Sequence, residues 1–191
     1  MPQQVRAFIS APISDEVRAA ITRVQTMLIN SSGPRSMSGL SLVAPENYHI
    51  TLKFLGDTEV EEIPRITAVM REITAAITPF DVAVAGVGGL PRIEKPRVVY
   101  IGVRDDSGYL AEIAEGLNTR FPEHKQDHKR FVAHITFMRV TRPEAWHWAA
   151  SRLDGWWAAE FGRDRVTGIE LMQSVLRPDG PEYSLLERVS F

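Results

Sequence analysis

The sequence predicts two similar lobes of strands and helices, built on mixed or antiparallel sheet rather than on one long parallel sheet. Three observations lead there. Strand-like and helix-like stretches succeed one another in roughly the same order in each half of the chain. Nearly the same tetrapeptide occurs once in each half, as His49-Ile50-Thr51-Leu52 and as His134-Ile135-Thr136-Phe137. In places two strand-like stretches follow each other with no helix between, which suits antiparallel neighbours.

Val5, Ala7 and Ile9 alternate with Arg6, Phe8 and Ser10, the period of a strand. Ser14 can then cap a helix whose apolar stripe is Val17, Ile21, Val24 and Leu28. The Ser- and Gly-rich stretch from Asn30 to Gly39 reads as a surface loop. His49 to Leu55 is a strand, with Gly56–Asp57 expected to close it. Pro64 falls in the first turn of a second helix, with Ile63, Ile66, Met70, Ile73 and Ile77 on one face. Phe80–Val87 and Arg97–Val103 read as strands joined by the Gly/Pro-rich stretch Gly86–Pro96. Leu110, Ile113, Leu117 and Phe121 mark a third helix that Pro122 stops. Phe131–Val140 is a strand, and Pro143 opens a fourth helix. Ile169–Leu176 and Glu182–Val189 flank Arg177-Pro178-Asp179-Gly180-Pro181 as a hairpin.

The chain of 191 residues fits one domain, 1–191, or two intimately joined lobes. At 44% hydrophobic and 24% charged residues it can fill a core. It has no cysteine, so disulfides, thiolate metal sites and cysteine nucleophiles are excluded. That suits a cytoplasmic location. The N-terminal stretch lacks the basic start and apolar run of a signal peptide, and no apolar stretch is long enough for a membrane span. Net charge is −2, so there is no global basic field for coating long nucleic acid. Locally, Arg120 to Arg142 carries six basic residues against Glu123 and Asp127. This is either a solvated basic loop or a small patch that attracts a terminal phosphate.

In a strand, residues two apart share a face. His49, Thr51 and Lys53 are therefore expected on one face, with Ile50, Leu52 and Phe54 toward the core. His134 and Thr136 form the matching face of the second copy, with Ile135 and Phe137 behind them. A lone strand histidine is commonly a packed core residue. Two copies of one polar face are harder to assign to packing, and a shared cleft would give both the polar company they need. One neutral imidazole can take a proton from water while a protonated one gives a proton to a leaving alkoxide. Threonine hydroxyls can hold the non-bridging phosphate oxygens. Two His/Thr pairs thus fit in-line displacement at a phosphodiester with no metal and no cofactor.

Paired motifs of this kind are the signature of the two-histidine (2H) phosphoesterases, and the chain resembles that superfamily. It is most similar to the RNA 2′,3′-cyclic phosphodiesterases, also called 2′-5′ RNA ligases. The similarity includes ArgAlaPhe at 6–8, HITLKFLGD at 49–57, PRVVYIGV at 96–103, HITFMR at 134–139 and LMQSVLRPDGPEYSLLER at 171–188. Ala133 stands where relatives commonly have proline, and Tyr100 where they commonly have tryptophan. The resemblance implies an α+β fold of two pseudo-symmetric lobes of mostly antiparallel sheet, with helices outside and both motifs in a central cleft. It implies hydrolysis of a terminal 2′,3′-cyclic phosphate to a 2′-phosphate, with ATP-independent 2′-5′ joining as a companion activity. RNA ends or nucleotides bearing that cyclic phosphate are the implied partners. His49 would be the proton donor and His134 the proton acceptor, although the symmetry of the motifs leaves the two roles interchangeable. A monomer without an obligate protein partner is expected.

Four further residues are substrate-binding candidates. Arg139 resembles a family arginine near the phosphate, but strict alternation puts it opposite His134. Arg130 can attract phosphate or simply be exposed at a strand start. Phe8 and Tyr100 can stack a base or belong to the core. His124, His128 and His134 suggest a zinc site only if their segment is helical, which Pro122 argues against. His147, between Trp146 and Trp148, reads as packing. Two other functions remain open at this point: a non-catalytic nucleotide- or RNA-binding module, and a 2H phosphodiesterase for another cyclic nucleotide or a 2′-5′ oligonucleotide.

Overall fold

A computed structural model describes residues 3–32, 37–123, 131–178 and 180–191. Its strands are β1 (Gln4–Pro12), β2 (Leu40–Leu42), β3 (His49–Glu59), β4 (Phe80–Leu90), β5 (Val98–Arg104), β6 (His134–Val140), β7 (Glu160–Val166), β8 (Gly168–Arg177) and β9 (Gly180–Ser190). Its helices are α1 (Asp15–Asn30), α2 (Ile63–Thr74), α3 (Tyr109–Arg120) and α4 (Pro143–Arg152).

The strands form a sheet in the order β7-β4-β5-β6-β3-β1-β8-β9, with β2 added against β6, and every ladder is antiparallel. The two halves mirror each other about the centre. There β3 meets β6 through one residue pair, Ile50 and Ile135. This is the antiparallel arrangement expected, with the motif strands innermost. Helices cross between halves: α1, which leaves β1, packs on β7, and α3, which leaves β5, packs on β3. One continuous core results, with Ile50, Leu52, Ile135 and Phe137 at its middle.

Local chemistry explains the helices. The Ser14 hydroxyl accepts from the Val17 amide at 3.3 Å and caps α1, whose Val17, Ile21, Val24 and Leu28 are all buried. Pro64 sits in the first turn of α2, where its missing N–H costs nothing. On α3, Leu110, Ile113 and Leu117 are buried, and Phe121 follows them into the core.

Some boundaries differ from the expectation. β3 does not close at Gly56–Asp57. Gly56 takes a φ of 68° and the strand runs on to Glu59, because β1 continues to pair with it. β4 runs on to Leu90, into the Gly/Pro-rich stretch. β6 starts at His134 rather than Phe131. β7 was not expected, since as an edge strand it buries only Phe161 and Val166. His147 is exposed on α4, so it is not a packing residue.

Candidate active site

The motif faces are set by the central pairing. Ile50 and Ile135 point into the core, so His49, Thr51, His134 and Thr136 point to the opposite face. Because the strands are antiparallel, the motifs run head to tail and each histidine lies toward the other motif's threonine. Strict alternation then fails at the same place in both copies. The register of β1 shifts at Leu52, from Ser10–Thr51 to Ile9–Lys53. That of β5 shifts at Phe137, from Tyr100–Thr136 to Val99–Met138. Each motif thus ends in a β-bulge, which turns two successive side chains inward and reverses the phase beyond it.

Two expectations change for that reason. Lys53 is not on the histidine face. It is buried at 1% exposure, and its Nζ donates to Asn118 Oδ1 at 2.7 Å. Phe54 is not in the core but exposed at 56%, on the cleft. In the second copy the same reversal brings Arg139 to the cleft face beside Thr136, where alternation alone had put it on the other side.

The cleft has a volume of about 460 Å³. His49, Thr51, Phe54, Thr136 and Arg139 line its floor, and Asn47, Arg177, Glu182 and Tyr183 its walls. His49 Nδ1 lies 2.8 Å from the carbonyl oxygen of Asn47, and His134 Nδ1 lies 2.7 Å from that of Val132. A carbonyl can only accept, so each Nδ1 carries a proton and each neutral ring keeps its Nε2 as the basic atom. Both rings are therefore held as the same tautomer by the carbonyl two residues upstream. The His49 Nε2 accepts from the Thr51 hydroxyl at 2.9 Å.

Burial pushes the pKa of His49 down to about 4. The hydrogen bond to Asn47 opposes this, while the nearby His134 and Arg139 add to it. His49 is thus neutral at pH 7 in the free protein. Phe8 packs on it at 4.9 Å between ring centroids, and Tyr183 meets it edge-on at 5.5 Å. Burial raises the Tyr183 phenol, and Arg139 and Arg6 partly offset that.

Phe8 is only 3% exposed and lies against His49, so it supports that ring and has no free face for a base. Tyr100 is partly buried on the cleft side of β5, with its ring 5.1 Å from that of His134. Arg130, His124 and His128 lie outside the described residues. Among the described residues no three His, Asp or Glu side chains converge as a metal site. Sequence reasoning missed Phe54, Asn47 and Tyr183. The bulge hid Phe54. The other two sit just before the first motif and in the hairpin that follows Arg177, and only the folded hairpin brings them together.

The class defined by this fold and site is a two-histidine phosphoesterase, and comparison with known proteins agrees. A profile described as LigT like Phosphoesterase matches residues 12–100. An RNA 2′,3′-cyclic phosphodiesterase of Archaeoglobus fulgidus is 36% identical, over 94% of this chain and 96% of its own. One from Thermus thermophilus is 31% identical, over 97% of this chain and 90% of its own. A crystal structure of a Thermus thermophilus protein superposes with a TM-score of 0.75 at 30% identity, covering 97% of both chains. E. coli LigT complexed with 3′-AMP shares the fold, with a TM-score of 0.73 at 22% identity over 98% of both chains. The chain belongs to the LigT-like family of two-histidine phosphoesterases, together with these RNA 2′,3′-cyclic phosphodiesterases.

Proposed function

We propose that the protein hydrolyses a terminal RNA 2′,3′-cyclic phosphate to a 2′-phosphate by acid–base catalysis between His49 and His134, without a metal. One observation carries this reading: two imidazoles on one face, each tautomer-locked through Nδ1. Such a pair can move one proton in and one proton out in a single displacement. His134 takes a proton from water as the water oxygen attacks phosphorus. The P–O3′ bond breaks, and His49 protonates the departing O3′. The free 3′-hydroxyl and the 2′-phosphate are the products, and exchange with solvent resets the two rings. A 5′-hydroxyl in place of the water would form a 2′-5′ linkage by the same step, with no ATP.

Thr51, Thr136 and Arg139 hold the non-bridging oxygens, and Phe54 offers an open aromatic face to the terminal base. The acid needs a proton that the free His49 lacks at pH 7. The bound phosphate anion supplies the charge that lets the ring hold one beside Arg139 and His134. The protonated fraction of His49 that kcat/KM draws on is therefore set by a free-protein value near 4, and that for kcat by a higher one, because the anion stabilises the imidazolium in the complex. Both values belong to the coupled pair of rings.

The test uses a short RNA ending in a 2′,3′-cyclic phosphate, with and without excess EDTA, and product identification by mass and phosphatase sensitivity. A 2′-phosphate formed at equal rates in both samples is expected. A 3′-phosphate, no turnover, or loss of activity to EDTA with recovery on adding zinc would overturn the reading.

A further inference from the structure

We propose that the tip of the β8–β9 hairpin is a positioning element for His49, acting through Asn47 and Tyr183. The idea rests on the reading of His49 as a catalytic residue and asks what holds that ring in place.

The hairpin is longer than the sheet it joins. β8 pairs with β1 only between Ala7–Gln173 and Ser10–Glu170, whereas β8 and β9 stay paired to Arg177–Gly180. Its distal half therefore leaves β1 and arches over the cleft. Tyr183, opposite Ser174, lies 4.9 Å from the Phe8 ring and 5.5 Å from the His49 ring, edge-on at 79°. At the tip, Pro181 presents its carbonyl oxygen to Asn47 Nδ2 at 2.7 Å. Asn47 also supplies the carbonyl that holds His49 Nδ1. A single residue thus ties the hairpin through its side chain and sets the tautomer through its backbone. The adjacent strand supports both motifs alike, Phe8 of β1 against His49 and Tyr100 of β5 against His134, and the hairpin adds Tyr183 at His49.

The arrangement also controls water. Phe8 from beneath and Tyr183 from the hairpin cover the His49 ring, and burial is the largest cause of its low pKa. The charged and titratable groups around it come from three sides: His134 and Arg139 from β6, Glu46 from the loop before β3, and the Arg177–Glu182 pair from the hairpin. Withdrawing the hairpin would wet the ring, raise its pKa and free its orientation. A misplacement of about 1 Å can cost roughly 10²-fold in rate.

The test reads the ring directly. Histidine-selective ¹H–¹⁵N correlation spectra report tautomer and titration midpoint without any substrate, so they are independent of the proposed reaction. His49 is assigned from the His49→Gln spectrum. In Tyr183→Leu the His49 midpoint is expected to rise from about 4 toward 6.5. Its kcat is expected to fall by about tenfold or more, with a smaller change in KM. Tyr183→Phe keeps the ring and is expected to restore both. Asn47→Ala removes one hydrogen bond and no core volume, and is expected to mix the His49 tautomers while His134 stays unchanged. Should Tyr183→Leu fail to fold, Asn47→Ala decides alone. An unchanged His49 midpoint and tautomer in the folded variants, or a Tyr183→Phe protein as impaired as Tyr183→Leu, would overturn the proposal.

Discussion

At the scale of single residues, the two threonines differ from the histidines in what they can contribute. Thr51 donates to His49 Nε2 in the free protein, and Thr136 lines the same cleft. In the proposed reaction neither moves a proton, and each is assigned the holding of charge on the phosphate. Thr51→Val and Thr136→Val keep the β-branched shape and delete one hydroxyl. Each is expected to lower kcat by about 10²–10³-fold, with little change in thermal stability. Single-turnover rates with a cyclic-phosphate-terminated dinucleotide measure this. Normal rates in both variants would make the hydroxyls structural.

At the scale of elements, the matched bulges at Leu52 and Phe137 decide which residues reach the cleft. They convert one tetrapeptide repeat into two different endings, aromatic Phe54 in one copy and cationic Arg139 in the other. The packing beside His134 depends on a close approach. Tyr100 lies over Gly88 of β4, and a Cβ at that glycine would collide with the phenol ring. Gly88→Ala is expected to cost about 1–3 kcal/mol by denaturant unfolding. It is also expected to displace Tyr100 from His134 and so to lower turnover; full activity and stability would mean that the ring adjusts freely. The four motif residues were legible in the sequence because a two-residue period needs only local pattern. The residues beyond the bulges were not. A bulge is defined by a partner strand that skips a residue, and the pattern Leu52-Lys53-Phe54 contains no mark of that skip. Asn47 and Tyr183 were illegible for a related reason, since Asn47 meets Pro181 and Tyr183 meets His49 only once the distant hairpin has folded over the cleft. β7 escaped notice because it buries too few side chains to show a period.

At the scale of the whole molecule, the sheet brings the two motifs together at its centre and leaves a neutral, half-buried imidazole there. That ring links activity to stability. His49 has a folded pKa of about 4 against about 6.5 when unfolded. Its contribution is therefore fully present above pH 6.5 and is lost as pH falls toward 4, where the unfolded chain binds the extra proton. The loss is about 2–3 kcal/mol over that interval. Urea unfolding at pH 7 and pH 4.5 is expected to show a fall in wild-type stability that His49→Gln reduces. An equal fall in both proteins would assign the acid sensitivity to other groups.

The most direct test of the two-histidine account is turnover of one cyclic-phosphate-terminated RNA by wild type, His49→Ala, His134→Ala and the double variant, all in EDTA. Both histidines lie on the face of the sheet opposite the core, so truncation is expected to remove proton transfer rather than core volume. Each folded single variant is expected to lose about 10²–10⁴-fold in kcat. The double variant should lose far less than the product of the two, since either ring alone cannot complete the displacement. Near-normal turnover by a folded His134→Ala or His49→Ala protein would contradict the account.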